Sequence, residues 1–453
     1  MIPISLKTLA KISGGKLYGS NLIIKNVTID SRKVTKGSLF IALIGEYFNG
    51  NNFAFDAIVK GAHAILANKF LPVDVSQVVV YDTNFALGQL GSWVRQQAKA
   101  RVVALTGSSG KTSVKEMTAM ILRQCGETVS TVDNLNNHIG VPITLMSLNE
   151  THDYAVIEIG ANHHGEIAYT TNLVRPESAL INNLSEAHLE GFGSLTGVSS
   201  AKSEIFSGLL ENGTSIINAE SNDLTKWKLQ LANKKLWRFS LNEMTDAEFR
   251  ASNITMSTNT TQFMLHTPRG NISIEIPLVG YHNVSNALAA SALAMSVDAP
   301  LIAIQSAFKM LKPIYGRLYP IYLADNKLLL DDSYNANVSS MLAAIQILSD
   351  TTGFCVLVVA DMLELGKKAE SYHAQIGKIV KNSHIDCVLS IGKLSQIISD
   401  ISEKGQHFTQ KSALIKHLWT LLSEHQKITI LIKGSRNTNM NQIVQSLQEK
   451  RIC

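Results

Sequence analysis

Cysteine is scarce and scattered in this chain. Cys125, Cys355, Cys387 and Cys453 form no Cys-x-x-Cys pair, which argues against both a zinc site and a disulfide framework. The first three lie in apolar contexts and read as buried thiols. Long apolar runs are also missing. A run such as Cys355–Ala360 falls far short of a membrane span, so no membrane insertion is expected. The N-terminus, Met1-Ile-Pro-Ile-Ser-Leu-Lys7, lacks a charged segment followed by an apolar core. No secretory signal is therefore expected, and a cytoplasmic location is the default. Dense basic runs are absent too. The net charge of +5 suits small anionic substrates and offers no footing for nucleic acid. There is no low-complexity segment and no short tandem repeat. What remains is a 453-residue chain, 45% hydrophobic, with length for about two to four globular domains.

The most informative stretch is Val102-Val-Ala-Leu-Thr-Gly-Ser-Ser-Gly-Lys-Thr-Ser-Val-Lys-Glu-Met117. Val102–Leu105 is apolar throughout, as in a parallel strand buried on both faces. Val114, Met117, Ile121, Leu122 and Cys125 then recur at helical spacing. Gly107, Ser108, Ser109, Gly110, Lys111, Thr112 and Ser113 join the two. Glycines permit close backbone approach, and a helix N-terminus aims N–H groups at an anion. Lys111 supplies a point charge for the outer phosphates, and the Thr112 hydroxyl suits Mg²⁺. The longer G-x-x-x-x-G-K-[ST] pattern asks for glycine at position 105, where this chain has Leu105.

An α/β chain of three domains is expected. Residues 1–82 read as a small α/β domain, with strand-like Leu22–Ile29, Ser38–Leu43, Ala62–Ala67 and Gln77–Tyr81. Residues 83–312 open with a helix over Asn84–Ala98. They continue as a central, mostly parallel sheet of the phosphate-loop type, with helices on both faces. Within them, Asn253–Leu278 alternates polar and apolar residues around Thr267-Pro-Arg-Gly270 and predicts an antiparallel hairpin. Residues 313–453 begin at Pro313-Ile-Tyr-Gly-Arg317 and restart the pattern as a Rossmann-like open α/β sheet, with strands at Lys327–Leu330, Phe354–Val359, Cys387–Ile391 and Ile428–Ile432.

Several polar groups fall at predicted strand ends, where ligands of such sheets gather. Glu158 ends the strand in Tyr154-Ala-Val-Ile-Glu158 and reads either as a Mg²⁺ ligand or as a carboxylate on a solvated edge. His188 follows Ala179–Asn182 and reads equally as ligand or structural histidine. Lys202 sits in a helical segment with Val198 and Phe206. Its plain reading is a solvated lysine, with Glu204 as the partner at hand. Ser31-Arg32 follows a strand and suits either a phosphate or a turn with a surface arginine. Asp331-Asp-Ser-Tyr-Asn-Ala-Asn337 and Lys433-Gly-Ser-Arg436 end strands of the last domain, the latter as an anion site or a charged turn.

In order and spacing these segments resemble the Mur ligases, ATP-dependent amide-forming enzymes of peptidoglycan synthesis. The resemblance also draws on Asn134–Asn137 with Gly140-Val-Pro142, Gly160-Ala-Asn-His-His-Gly-Glu-Ile167, Ala201-Lys202, His282-Asn283 with Asn286, and Gly316-Arg317. It covers essentially the whole chain. It implies an acid–amino acid ligase, monomeric by expectation, acting on UDP-N-acetylmuramoyl-tripeptide and D-alanyl-D-alanine through an acyl phosphate. Residues 1–82 would hold the UDP part, with Ser31 and Arg32 near it. ATP would meet the loop 107–113 together with Asn286, Arg317 and Asp332. Thr112 and Glu158 would hold one Mg²⁺, with His188 near a second and Lys202 carbamylated to join them. Lys111, Lys202 and His188 would be catalytic. Asn137, Asn335, Asn337 and Arg436 would face the substrates.

The chain departs from the usual pattern at Asn49-Gly-Asn51, Ser203, Ala360 and Asn437. Other readings are a different ligase of the same superfamily and a non-catalytic nucleotide switch. The latter has no use for Lys202 and His188. A nicotinamide site is opposed by the absence of G-x-G-x-x-G after Leu105.

Overall fold

The computed structural model describes residues 1–220, 224–257 and 259–449, and three sheets dominate it. Cys453 lies outside the described residues. Cys355 is buried, whereas Cys125 and Cys387 are half-buried, so the expectation of three buried thiols holds fully for one.

The first sheet has five strands in the order Lys16–Tyr18, Ser76–Val79, Ala64–Ala67, Leu39–Ile41 and Val27–Thr28. All its pairs are parallel except the first. The strand expected over Leu22–Ile29 is two short strands. Ile23–Ile24 pairs instead with Ile4–Ser5, in a separate two-stranded sheet, and only Val27–Thr28 joins the five strands.

The second sheet has nine strands. Thr128–Ser130, Tyr154–Glu158, Arg101–Thr106, Ser178–Ile181, Thr214–Asn218 and Lys235–Ser240 run parallel, as does Phe249–Met256 beside the last of them. Thr261–Thr267 and Gly270–Ile276 then continue it antiparallel. The expected hairpin is therefore two arms of a three-stranded meander, turning at Thr267–Gly270 as read from the sequence. Its first strand joins the parallel sheet through Phe239 and Ser240. Arg101–Thr106 is central, and its apolar side chains Val102–Leu105 are fully buried on both faces.

The helix Thr83–Gln97 joins the first two sheets. The Asp82 carboxylate caps it by accepting from the N–H groups of Asn84 and Phe85. Ala86, Leu87, Leu90 and Val94 recur at helical spacing and are buried in one core. That core runs without a break from Leu39 and Leu66 of the first sheet to Ala104 and Ile157 of the second. The opposite face of the nine-stranded sheet is covered by the helices Lys111–Arg123 and Tyr281–Ser296.

The third sheet has six strands in the order Tyr319–Ala324, Lys327–Asp332, Ile428–Lys433, Phe354–Ala360, Cys387–Ile391 and Gly405–Phe408. Only the first pair is antiparallel. The edge strand Tyr319–Ala324 has no counterpart in the sequence reading. Pro320 argues against a central strand there, and an edge is where a strand tolerates it. The consequence is positional: Arg317, Asp332, Asn335 and Lys433 all emerge at the carboxyl ends of the parallel strands or beside them, facing the end of Arg101–Thr106.

Candidate active site

The strand Arg101–Thr106 delivers the chain into the loop 107–110, which opens the helix Lys111–Arg123. The loop is fixed by its own neighbours. Ser108 N donates to Asn183 O at 3.1 Å and Ser108 Oγ to Ser185 O at 3.0 Å, while Ser109 N donates to Asn183 Oδ1 at 2.8 Å. Gly110 has φ of +73°, and a Cβ there would lie 2.5 Å from Asn286 Oδ1 and 2.7 Å from Asn182 Nδ2. Only glycine meets both demands. Lys111 Nζ donates to Gly107 O at 2.9 Å, curling the side chain over the loop. Burial lowers the Lys111 pKa, and Arg317 adds to the effect while Glu158 opposes it.

Glu158 ends its strand buried, not on a solvated edge. Its Oε1 accepts from Asn136 Nδ2 at 2.7 Å, and its Oε2 has no hydrogen-bond partner among the described residues. A buried carboxylate oxygen left in this state is costly unless a cation meets it. No cluster of three or more His, Cys, Asp or Glu side chains is present among the described residues. One carboxylate and one hydroxyl are nonetheless what Mg²⁺ takes from protein when phosphate and water supply its other oxygens. The donor set fits that ion.

His188 adopts left-handed backbone, φ of +53°, at the start of the short helix Leu189–Phe192. Its Nδ1 lies 2.5 Å from Glu364 Oε2 of the third sheet's loop, which holds the Glu364 carboxyl below its ordinary pKa. Lys202, in the helix Leu195–Ser203, is 1% exposed and is neither solvated nor paired with Glu204. The Glu204 carboxylate accepts instead from the N–H groups of Gly165 and Ala168. Burial pushes the Lys202 pKa well down, and the nearby Lys111 charge pushes it further. The plain reading of Lys202 fails because sequence spacing does not reveal that neighbouring segments close over its helix.

The third sheet meets the loop directly. Arg317 Nη2 donates to Thr112 Oγ1 at 2.9 Å, and its guanidinium carbon lies 4.4 Å from the centre of the Tyr334 ring. Asn337 Nδ2 donates to Ser108 O at 3.1 Å. Asp332 and Lys433 form a nearly buried pair, Nζ to Oδ2 2.6 Å. Burial raises the Asp332 pKa, while Lys433 and then Arg317 pull it down. Asn335 Oδ1 accepts from Arg436 N at 3.4 Å, and Arg436 Nη1 donates to the Tyr334 hydroxyl at 3.4 Å.

One cleft of about 2590 Å³ lies between these elements. Ser108 through Ser113, Asn137, Glu158, His188, Asn286, Arg317, Asp332, Asn335, Asn337 and Arg436 line it. Gly107 and Lys202 are not among the residues lining it. Ser31 and Arg32 do not reach it. They begin a 3-10 turn in the first unit, where Arg32 is 84% exposed and forms a bidentate pair with Asp30. Asn137 also caps the helix Gly140–Met146 through its side-chain oxygen. Among the cleft residues, His282 and Glu364 were given no role in the sequence reading, and Lys433 entered it only within Lys433–Arg436, read as an anion site or a charged turn. Burial, with Lys433 nearby, lowers the His282 pKa to about 4. The segment Lys433–Arg436 carried a signal for Lys433. Glu364, in a loop after a strand, carried none.

Sequence models of three domains match the chain in order. Residues 23–92 match "Mur ligase family, catalytic domain", 105–294 "Mur ligase middle domain" and 316–436 "Mur ligase, glutamate ligase domain". The UDP-N-acetylmuramoyl-tripeptide–D-alanyl-D-alanine ligase of Escherichia coli (strain K12) is 54% identical over 453 residues, covering 100% of both chains. The enzyme of that name from Haemophilus influenzae is 43% identical over 463 residues, again with 100% coverage of both. A crystal structure of MurF from Acinetobacter baumannii superposes with a TM-score of 0.94 at 35% identity, covering 99% of each chain.

Proposed function

The chain belongs to the Mur ligase family, and we infer from that membership and from the cleft that it joins D-alanyl-D-alanine to UDP-N-acetylmuramoyl-tripeptide at the expense of ATP. One observation carries the chemistry. The phosphate loop, the unpartnered Glu158 oxygen and the polar strand ends of the third sheet face a single cleft. A ligase needs ATP, a metal and two substrates to meet in such a space.

In this reading residues 1–82 bind the UDP part, with Ser31 and Arg32 near it, residues 83–312 bind ATP, and residues 313–453 complete the ATP and dipeptide sites. The N–H groups at the start of Lys111–Arg123 receive phosphate oxygens. Lys111 exchanges the Gly107 carbonyl for the outer phosphates and offsets the charge spreading over the transferred group. Asn286, Arg317 and Asp332 hold the rest of the nucleotide. The tripeptide carboxylate attacks the γ-phosphorus, and ADP leaves. The D-alanyl-D-alanine amine then attacks the acyl phosphate carbon and loses a proton, and phosphate departs from the tetrahedral intermediate. Asn137, Asn335, Asn337 and Arg436 orient the two substrates.

Thr112 Oγ1 and Glu158 Oε2 are the groups that would hold Mg²⁺. His188 Nε2 is the ring nitrogen left for a second ion, since Glu364 takes Nδ1. Bound there, Mg²⁺ supplies charge neutralisation at the phosphates. Lys202 is read as a carbamate. Its lowered pKa favours the neutral amine, which adds to CO₂ with formation of an N–C bond and loss of one proton. The product is an anion, suited to a metal where an ammonium is not. Among the described residues no helix is long and apolar enough to cross a membrane. The cytoplasm is the location that this reading proposes for the reaction, by its likeness to the ligases named above.

The test is phosphate release from ATP in the presence of UDP-N-acetylmuramoyl-tripeptide. Release should depend on added D-alanyl-D-alanine. Release that ignores the dipeptide, or that persists at full rate in Lys202→Ala, would overturn the substrate assignment or the carbamate respectively.

A further inference from the structure

Three segments converge on one aromatic ring beside Lys202. Phe192 ends the helix Leu189–Phe192 and is 4% exposed. Lys202 Nζ stands 5.9 Å from its ring centre. The His164 ring meets it edge-on at 5.5 Å and the His188 ring at 6.4 Å. The ring is wedged by backbone. A Cβ on Gly191 would lie 1.9 Å from Asn162 O, and one on Gly197 would lie 1.9 Å from Phe192 O. Two glycines thus let the short helix sit flush between the loop carrying His164 and the helix carrying Lys202. Val198 and Ala201 close the cluster from the Lys202 helix, and Tyr372 of the third unit packs against it.

We propose that Phe192 is a positioning residue for Lys202, fixing the direction in which the modified side chain extends. The physical reason is the charge distribution of an aromatic ring, whose face is negative and whose edge is positive. Carboxylate oxygens are repelled by the face. A carbamate grown on Nζ beneath that face therefore turns away from Phe192. A leucine of similar hydrophobicity fills part of the space without that field. The proposal rests on the carbamate reading of Lys202 for its chemistry. The placement of the side chain by the ring is a separate matter and is read separately below.

The experiment compares Phe192→Leu with Phe192→Tyr in the full-length protein. Carbamate on Lys202 is trapped by alkylation in bicarbonate buffer and quantified by mass spectrometry. Accessibility of Lys202 is read in parallel from labelling by an amine-reactive ester at one fixed pH. Phe192→Leu should lower kcat by about 10- to 100-fold, as expected for a misplaced catalytic group, with KM for D-alanyl-D-alanine unchanged and trapped carbamate not lowered, because the face that directs the anion also repels it. Phe192→Tyr should restore kcat. Phe192→Met serves in place of Leu if the Leu variant does not fold. A role in packing alone predicts that Phe192→Met, which fills the space without a ring, matches the parent in kcat, and that result would overturn the proposal. If the unsubstituted protein shows no carbamate, that reading fails by itself. Phe192 is then judged by kcat and labelling, and a Leu variant matching the parent in both removes it.

Discussion

Arg317 Nη2 and Thr112 Oγ1 meet at 2.9 Å across 205 residues of sequence, joining the start of the third unit to the first turn of the phosphate-loop helix. The same guanidinium lies over Tyr334. Arg317 therefore reads the position of the hydroxyl assigned to the metal. Replacing it by Ala should raise KM for ATP by ~10- to 100-fold, the range of a charge-assisted hydrogen bond. Lys should recover little, since it lacks the planar group that both donates and stacks. Steady-state kinetics on the two variants decide this, and an unchanged KM in Arg317→Ala would refute the role.

Gly110 gives a second expectation. Its positive φ and its approach to Asn286 and Asn182 leave no room for a methyl group. Gly110→Ala should cost about 1–3 kcal/mol from backbone strain alone. It should also weaken nucleotide binding by about 10-fold or more, because Asn286 and Asn182 must move to admit the Cβ. Calorimetric titration with ADP and Mg²⁺ checks it. Binding at parental affinity would show that the loop is looser than described.

The Lys433–Asp332 pair predicts asymmetric effects. Lys433→Met leaves a buried carboxylate without its cation and should cost about 3–5 kcal/mol near neutral pH. Adding Asp332→Asn should recover much of that loss. The pH sign follows from the Asp332 pKa, which burial already raises and which loss of Lys433 raises further. A carboxyl with a raised folded pKa contributes stability below its unfolded pKa and loses it as pH rises through the folded value. The single variant should thus be least impaired in acid. Urea unfolding at several pH values tests this, and a loss that grows toward acid would contradict it.

His282 acts in the opposite sense. Its pKa falls from 6.5 to about 4, so the folded state keeps the ring neutral where the unfolded chain protonates it. Stability from this group is present above pH 6.5 and is lost as pH falls through 4, up to ~3 kcal/mol in all. His282→Asn should flatten the acid limb of the stability curve between those values. Parallel pH dependence in parent and variant would exclude His282 as its source.

Much of the local structure was legible because local chemistry determines it. Val102–Leu105 reads as a strand and Val114 to Leu122 as a helix, so the glycines between them had to form the turn. The turn Thr267–Gly270 was legible for the same reason. Burial of Lys202 was not, since it depends on Phe192 and Gly191 closing over it from another segment and on Gly197 of its own helix letting them approach. The pairing of His188 with Glu364 escaped likewise, because a contact between two loops leaves no period in either. The edge strand Tyr319–Ala324 was hidden by Pro320, a residue whose meaning changes with the strand's place in the sheet. Ser31 and Arg32 show the converse: the turn with a surface arginine was one of two readings, and it is the geometry found.

The helix Thr83–Gln97 has a practical consequence for anyone dividing the chain. Leu87, Leu90 and Val94 belong to a core that includes Leu6, Leu9 and Leu66 on one side and Ile157 and Ile167 on the other. Cutting before Thr83 or after Gln97 would bare an apolar face on whichever fragment keeps the helix, and a matching one on the fragment that loses it. Such fragments should be insoluble. A portion with an intact interior runs from residue 1 through Leu311, which packs in the central core, and the natural place to sever or splice is the short link beyond it, at Pro313 to Gly316.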